Sequence, residues 1–220
     1  MIRRPVVFAV TLLAANASVA QVREPIGPLV VDVRVASSGL PGDPGWTPLL
    51  PAETVVPSRG LGFDIGAHVN VFRRSSFALG IGAAWLVARG STSPPELGDE
   101  GAPTVPTSPS VSTRLTSFAP QVSLNFGHSL GWSYLSGGLG RARVESDATL
   151  DGASTTFTPQ DSDWVKTINF GGGARWFINE HIGVGFDLRW HNLGLVPATD
   201  THPGAGRASL LVAGAGIVVK

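Results

Sequence analysis

Three short stretches gather side chains that carry charge or protons: Asp32-Val33-Arg34, Asp64 with His68, and Asp187-Leu188-Arg189-Trp190-His191. Arg175 stands apart in a glycine-rich run, FGGGARW. Within each stretch the ionisable residues lie two or four positions apart, which puts them on one face of a β-strand. Carboxylates and guanidinium groups aligned in this way suit two roles. They can neutralise one another as a buried ion network, or they can line a narrow, gated path for ions. Catalysis is poorly served by comparison. Serine-type acyl transfer needs Ser, His and a carboxylate to converge, and the adjacent pair on offer is His128-Ser129, in a tight turn. The five histidines form no His-x-x-x-His pair and there is no cysteine, so no metal-ligand pattern appears. The glycine pairs sit inside strands rather than between a strand and a helix, which excludes a phosphate loop. No catalytic residue, cofactor or metal is therefore assigned, and the chain is expected not to be an enzyme.

The elements that must position these charges are period-2 segments. In HIGVGFDLRWHNL (181–193), Ile182, Val184, Phe186, Leu188 and Trp190 alternate with Gly183, Gly185, Asp187, Arg189 and His191. Similar alternation predicts strands near 29–36, 60–72, 77–89, 114–127, 132–144, 164–178, 181–192 and 207–219. In the first, Val31, Val33 and Val35 oppose Asp32 and Arg34. In the second, Leu61, Phe63, Ile65, Ala67, Val69 and Val71 oppose Asp64 and His68; in the sixth, Ile168, Phe170 and Trp176 oppose Asn169 and Arg175. The fifth and eighth segments have no clean parity, because Tyr134 and Leu135 compete for the same face.

The connections alternate in length. Long stretches at 37–59, 90–113, 145–163 and 193–206 are separated by short turns at 73–76, 127–131 and 179–180. This is the signature of an up-and-down antiparallel meander with its tight turns at one end. The connections at 90–113 and 145–163 are too polar and proline-rich to form a core, and they are expected to be mobile. Pro120 lies inside the fourth strand, where its missing N–H predicts a bulge or local unpairing.

The first twenty residues are a separate object. Arg3 and Arg4 precede an apolar run from Val6 to Ala15, and Ser18-Val19-Ala20 supplies a small-x-small cleavage site. That layout predicts a secretory signal peptide. Removing it leaves 14 basic and 16 acidic side chains, a charge of −2 that gives no reason to expect a nucleic-acid partner. Charged residues make up only 15% of the chain, against 28 glycines and 17 prolines, which is too few to cover an ordinary water-facing surface.

Which face meets which solvent is decided by the non-apolar side. A soluble barrel with an apolar interior would show Lys, Glu and Thr on its outer face. Here that side is mostly Gly, Ala, Ser and Asn with a few charges of both signs, which suits the narrow interior of an eight-stranded barrel. The bulky apolar face is therefore expected to meet lipid. Asp32, Arg34, Asp64, His68, Arg175, Asp187, Arg189 and His191 are expected to form a structural charge network in the lumen. Trp132, Tyr134, Trp176 and Trp190, near strand ends, are candidates for an interfacial aromatic girdle.

With these features in place, residues 21–220 resemble the small eight-stranded outer-membrane β-barrels of Gram-negative bacteria, the group of the OmpA transmembrane domain and OmpX-like proteins. The resemblance rests on the signal peptide, the strand number, the loop alternation and Gly-x-Gly repeats with bulky neighbours (GIGAAW, GVGFDLRW, SGGLGRARV, GAGIVV). It implies an all-β, antiparallel transmembrane barrel in the outer membrane, with outer-membrane lipids as partners and the barrel-assembly machinery engaged during biogenesis. It also implies a structural or surface-interaction role, with a surface ligand reached through the long loops. A small channel, or an enzyme modifying lipid A, is the alternative. Members of the group usually end on an aromatic residue, and this chain ends Ile217-Val218-Val219-Lys220. No domain is expected after the last strand.

Overall fold

The computed structural model describes residues 24–46, 54–92, 110–149, 156–157, 164–198, 200 and 204–220. The expected signal peptide, 1–20, lies outside the described residues, as does 93–109 in the third connection. The strands are β1 (Leu29–Gly39), β2 (Arg59–Arg74), β3 (Phe77–Thr92), β4 (Ser110–His128), β5 (Gly131–Thr149), β6 (Thr156–Phe157), β7 (Val165–Phe177), β8 (Ile182–Leu193) and β9 (Ala208–Val219). Eight of them form one antiparallel wall in the order β4-β3-β2-β1-β9-β8-β7-β5, and pairing of β4 with β5 closes it. The two-residue β6 stands outside this wall and pairs with Ala148 and Thr149 at the end of β5.

The fold is thus an all-β, eight-stranded, up-and-down closed barrel. Followed around the wall, the row Val33, Ile65, Trp85, Phe118, Arg141 and Lys166 climbs rather than meeting itself at β1. That stagger is what closing a sheet of tilted strands requires. Closure leaves no long free edge, which matters for strands this rich in β-branched and aromatic residues.

Tight turns join β2–β3 through Ser75-Ser76 and β4–β5 through Ser129-Leu130. Gly127, just before the second of these, has φ +145°, a conformation a side chain would strain. The β7–β8 connection is held by Asn179, whose Oδ1 accepts the backbone N–H groups of His181 (2.9 Å) and Ile182 (2.8 Å). All three short connections lie at one end of the barrel. The N-terminal lead crosses that end: Pro28 O accepts from Asn70 N, and Glu24 O accepts from Ser129 N.

Pro120 is accommodated without a register shift. Phe118↔Arg141 and Gln121↔Gly138 belong to one register, and the β4–β5 ladder lapses between them, at Ala119 and Pro120. The bulge is elsewhere, in β2, where the pairing with β3 shifts between Asn70 and Phe72. It leaves Val71 and Phe72 both facing outward.

The outer face of the wall is apolar across all eight strands. Val33, Phe63, Ile81, Val122, Leu135, Phe170, Leu188 and Ile217 are among the large hydrophobic side chains exposed there. The inner face is layered. An apolar cluster of Ile26, Val30, Ala78, Trp132, Phe177 and Val218 fills the short-turn end. A larger cluster, including Ala36, Leu40, Trp46, Leu86, Leu115, Val144, Leu193 and Leu210, fills the long-connection end. Polar and charged side chains occupy the middle. Trp46 reaches the upper cluster from a single 3-10 turn, Pro44–Trp46, which sits against Gly204 and Ala205 of the last long connection.

This layering corrects two expectations. The interior is not glycine and ions throughout, since both ends are closed by hydrocarbon. Trp132 and Tyr134 are buried at 3% and 2% exposure and point inward, so they are not part of an outer girdle. Trp176 and Trp190 do face outward. Strands β4 and β5 also begin and end beyond the predicted limits, at Ser110 and Thr149. There the inner face is the apolar one (Val111, Leu115, Val144, Ala148) and the outer face is polar (Arg114, Glu145, Asp147).

Candidate functional site

Charges enter the lumen from four strands. β1 contributes Asp32 and Arg34, β2 contributes Asp64 and His68, β7 contributes Arg175, and β8 contributes Asp187, Arg189 and His191. β5 adds Tyr134. Room for these side chains comes from small neighbours. A Cβ at Gly66 would stand 3.4 Å from Arg34 Nη2, and one at Gly214 would stand 3.4 Å from Arg34 Cβ.

Three arginines and three aspartates make up the ionic layer. Arg175 grips Asp32 with both prongs of its fork, Nε to Oδ1 at 2.9 Å and Nη2 to Oδ2 at 2.7 Å. Arg34 donates to Asp64 Oδ2 from Nε at 3.0 Å and from Nη2 at 2.7 Å. Its Nη1 lies 3.4 Å from Asp32 Oδ1, so the two pairs share a carboxylate. Arg189 holds Asp187 in the same two-pronged way, at 3.1 and 3.0 Å. Planar forks on carboxylates are the geometry in which buried ion pairs recover most of their desolvation cost.

Tyr134 joins the groups. Its hydroxyl accepts from Arg34 Nη1 at 3.0 Å and donates to Asp187 Oδ2 at 2.7 Å. The face of its ring lies 3.8 Å from the Arg175 guanidinium carbon, a close cation–π contact. Neutral side chains complete the layer. Asn169 Oδ1 accepts from Arg189 Nη1 (3.2 Å) and Gln121 Nε2 (2.9 Å), and Ser136 Oγ accepts from Arg189 Nη2 (2.8 Å). Asn125 Oδ1 accepts from Arg175 Nη1 at 3.4 Å.

Six of the eight site residues expected from sequence are therefore brought into one connected layer. His68 and His191 lie in the lumen, each 4% exposed, but neither joins an ion pair among the described residues. Sequence reasoning missed Tyr134 and the amide partners Gln121, Asn125 and Asn169. A usable signal existed for the tyrosine: Gly173 stands opposite Tyr134 and Asp187, and Gly171 opposite Ser136 and Arg189. Inward glycines on the middle strand mark where large neighbours converge.

The charged groups of the layer are all engaged with one another or with neutral partners. Opposite charges balance, and no group of three metal-ligating side chains occurs among the described residues. His128 lies outside the lumen, at the short-turn end, with Nδ1 3.2 Å from Ser75 O. The Tyr134 hydroxyl gives a direct test of the network. Tyr134→Phe is expected to destabilise the folded barrel by about 1–3 kcal/mol, because it leaves buried Asp187 and Arg34 each one partner short. Urea titration of the detergent-folded chain reads this, and an unchanged midpoint would remove Tyr134 from the network.

No protein-family model matches the chain, and no curated protein matches it significantly. Among solved structures it is similar to Neisserial surface protein A at 13% identity and a TM-score of 0.47, over 87% of this chain and 95% of that one. It is similar to Ail, the attachment invasion locus protein of Yersinia pestis, at 11% identity and a TM-score of 0.44, over 89% and 99% of the two chains. For the N-terminal β-barrel domain of Pseudomonas aeruginosa OprF the values are 14% identity and a TM-score of 0.37, over 86% and 96%.

Proposed function

We propose that the chain is a non-enzymatic outer-membrane β-barrel with a plugged polar lumen, exported by cleavage of residues 1–20 and serving a structural or surface-interaction role. The observation that carries this reading is the inversion of the molecule relative to a water-soluble barrel. Its large aliphatic and aromatic side chains face outward on every strand of the wall, while three ion pairs lie inside. Water would make such a surface an aggregation patch. A bilayer makes it the low-energy face, and only a closed barrel satisfies the backbone of a β structure there.

In this reading outer-membrane lipids surround the wall, and the barrel-assembly machinery inserts it. The short-turn end faces the periplasm and the long connections face outward, where they are available to a surface ligand. The test is the mobility of the folded chain on gels. Unboiled samples should migrate differently from boiled ones, and the mature chain should fractionate with outer membranes. Recovery in the periplasm without detergent would overturn the reading.

The plug has its own measurement. Ion pairs bridge β1, β2 and β7, and hydrocarbon clusters sit above and below them. Purified protein in planar bilayers is therefore expected to show no unitary conductance steps. Reproducible steps would favour a small channel and remove the plug.

A further inference from the structure

We propose that the outer wall carries a built site for a phosphorylated, acylated lipid of the outer leaflet, centred on β4, β5 and β7. The proposal rests on the outer-membrane reading above and adds a specific ligand class to it.

The first observation is a groove in the lipid-facing surface. Outward positions Ala67, Ala83 and Pro120 stand in register across β2, β3 and β4. In the row below them, Val122 faces Gly137 across β4 and β5. These small residues thin the wall and leave an apolar depression of about 860 Å³, flanked by Val69, Ile81, Val122 and Leu139. Small outward residues recur on β7 and β9 (Gly172, Ala174, Ala213, Ala215), but there Phe186 and Leu188 of β8 stand between them. A depression of this kind receives a hydrocarbon chain better than it receives another flat wall.

The second observation is the pair of cations at the groove's upper end. Two residues above Leu139 on the same face of β5 comes Arg141, about 7 Å higher along the strand. Arg141 stands directly opposite Lys166 of β7. Both side chains are exposed, and neither is in an ion pair among the described residues. Like charges facing each other across adjacent strands repel. An anion held between them turns that repulsion into attraction.

The third observation is height. Below the pair the outward residues are Leu139 and Ile168; above Arg141 on β5 come Arg143, whose guanidinium is taken up by Glu145 at 3.1 Å, and then Asp147. The edge of the apolar belt thus passes between Leu139 and Arg141. That is the level of lipid phosphates, where basic side chains extend from the hydrocarbon boundary. A lipid whose phosphate bridges Arg141 and Lys166 can lay an acyl chain along Leu139 into the groove. The site asks for both parts in one molecule.

The test uses the full mature chain folded in neutral detergent, with native mass spectrometry as readout. The probes are lipid A carrying its phosphates, the same lipid dephosphorylated, and inorganic phosphate. Lipid A is expected to remain bound, the dephosphorylated lipid to bind on the order of thirtyfold more weakly, and inorganic phosphate not to be retained. Arg141→Gln with Lys166→Gln should reproduce the thirtyfold loss, about fivefold per cation. Gly137→Leu should weaken lipid A binding by filling the groove. A Cβ there meets only atoms at 3.5 Å or beyond, so the barrel tolerates it. Arg73→Gln with Arg74→Gln, at the opposite rim, should change nothing. Equal binding of dephosphorylated lipid overturns the site on the unaltered protein, as does an equal loss in the Arg73/Arg74 variant. A chain whose boiled and unboiled bands coincide brings down the membrane reading itself. A heat-modifiable barrel that ignores lipid A brings down only this site.

Discussion

Replacing Asp32 by alanine is expected to cost the folded barrel about 3–5 kcal/mol, the largest single loss available in the lumen. Asp32 is 1% exposed and is the carboxylate on which Arg175 closes both prongs, with Arg34 at 3.4 Å from its other side. Its removal leaves Arg175, 2% exposed, with Asn125 Oδ1 at 3.4 Å and the rings of Tyr134 and Trp132 as its remaining partners. Three cations then face two anions in a layer sealed at both ends by hydrocarbon. The desolvation already suffered by Arg175 is no longer recovered by Coulomb attraction. Equilibrium urea titration, scored by the fraction of heat-modifiable band, measures the loss. The companion variant Asp32→Ala with Arg175→Met should recover most of it, because an ion pair replaced whole by apolar atoms costs little. If Asp32→Ala alone unfolds within 1 kcal/mol of the parent chain, the ionic layer is not what holds the interior.

The second large effect is expected on the opposite side of the wall. Leu188 lies in the middle of β8, 40% exposed, between Gly172 of β7 and Ala213 of β9. Leu188→Arg should destabilise the barrel by about 2–4 kcal/mol in a bilayer, the cost of a cation on the lipid face near the midplane. The same change on a water-facing strand would be neutral or would raise solubility, so the sign discriminates between the two solvents. The measurement is folding into neutral phospholipid vesicles, compared with Leu188→Ala. An arginine variant as stable as the alanine variant would mean that β8 does not face lipid.

Both predictions were reachable from the sequence because β1, β2, β7 and β8 keep one parity through the belt. Asp32, Asp64 and Asp187 each stand between two bulky apolar neighbours and Arg175 beside Trp176, and a period of two is unambiguous there. The fifth and last strands were opaque for a physical reason. In β5 the apolar residues are inward at the ends (Trp132, Val144) and outward in the middle (Leu135, Leu139); β9 repeats this with Leu210, Val212 and Val218 inside and Ile217 outside. The end clusters that cap the lumen reverse the contrast on which parity is read. Tyr134 was lost for the same reason, and with it the centre of the network. The long reach of β4 and β5 was hidden by the same reversal, since Val111 and Ala148 are buried beneath polar outer neighbours.

That reach has a consequence for how the molecule would sit among its surroundings. β4 and β5 have 19 residues each, whereas β1 has 11 and β8 and β9 have 12. At the usual rise and tilt, the longer pair stands about 48 Å tall and β1 about 28 Å, against a hydrocarbon band of about 25 Å. The cylinder is therefore cut obliquely, with a parapet on one flank and a low sill on the other. Among the described residues the β4–β5 flank thus rises well above the β1–β9 flank, so the wall has a front and a back although its strand circuit is closed.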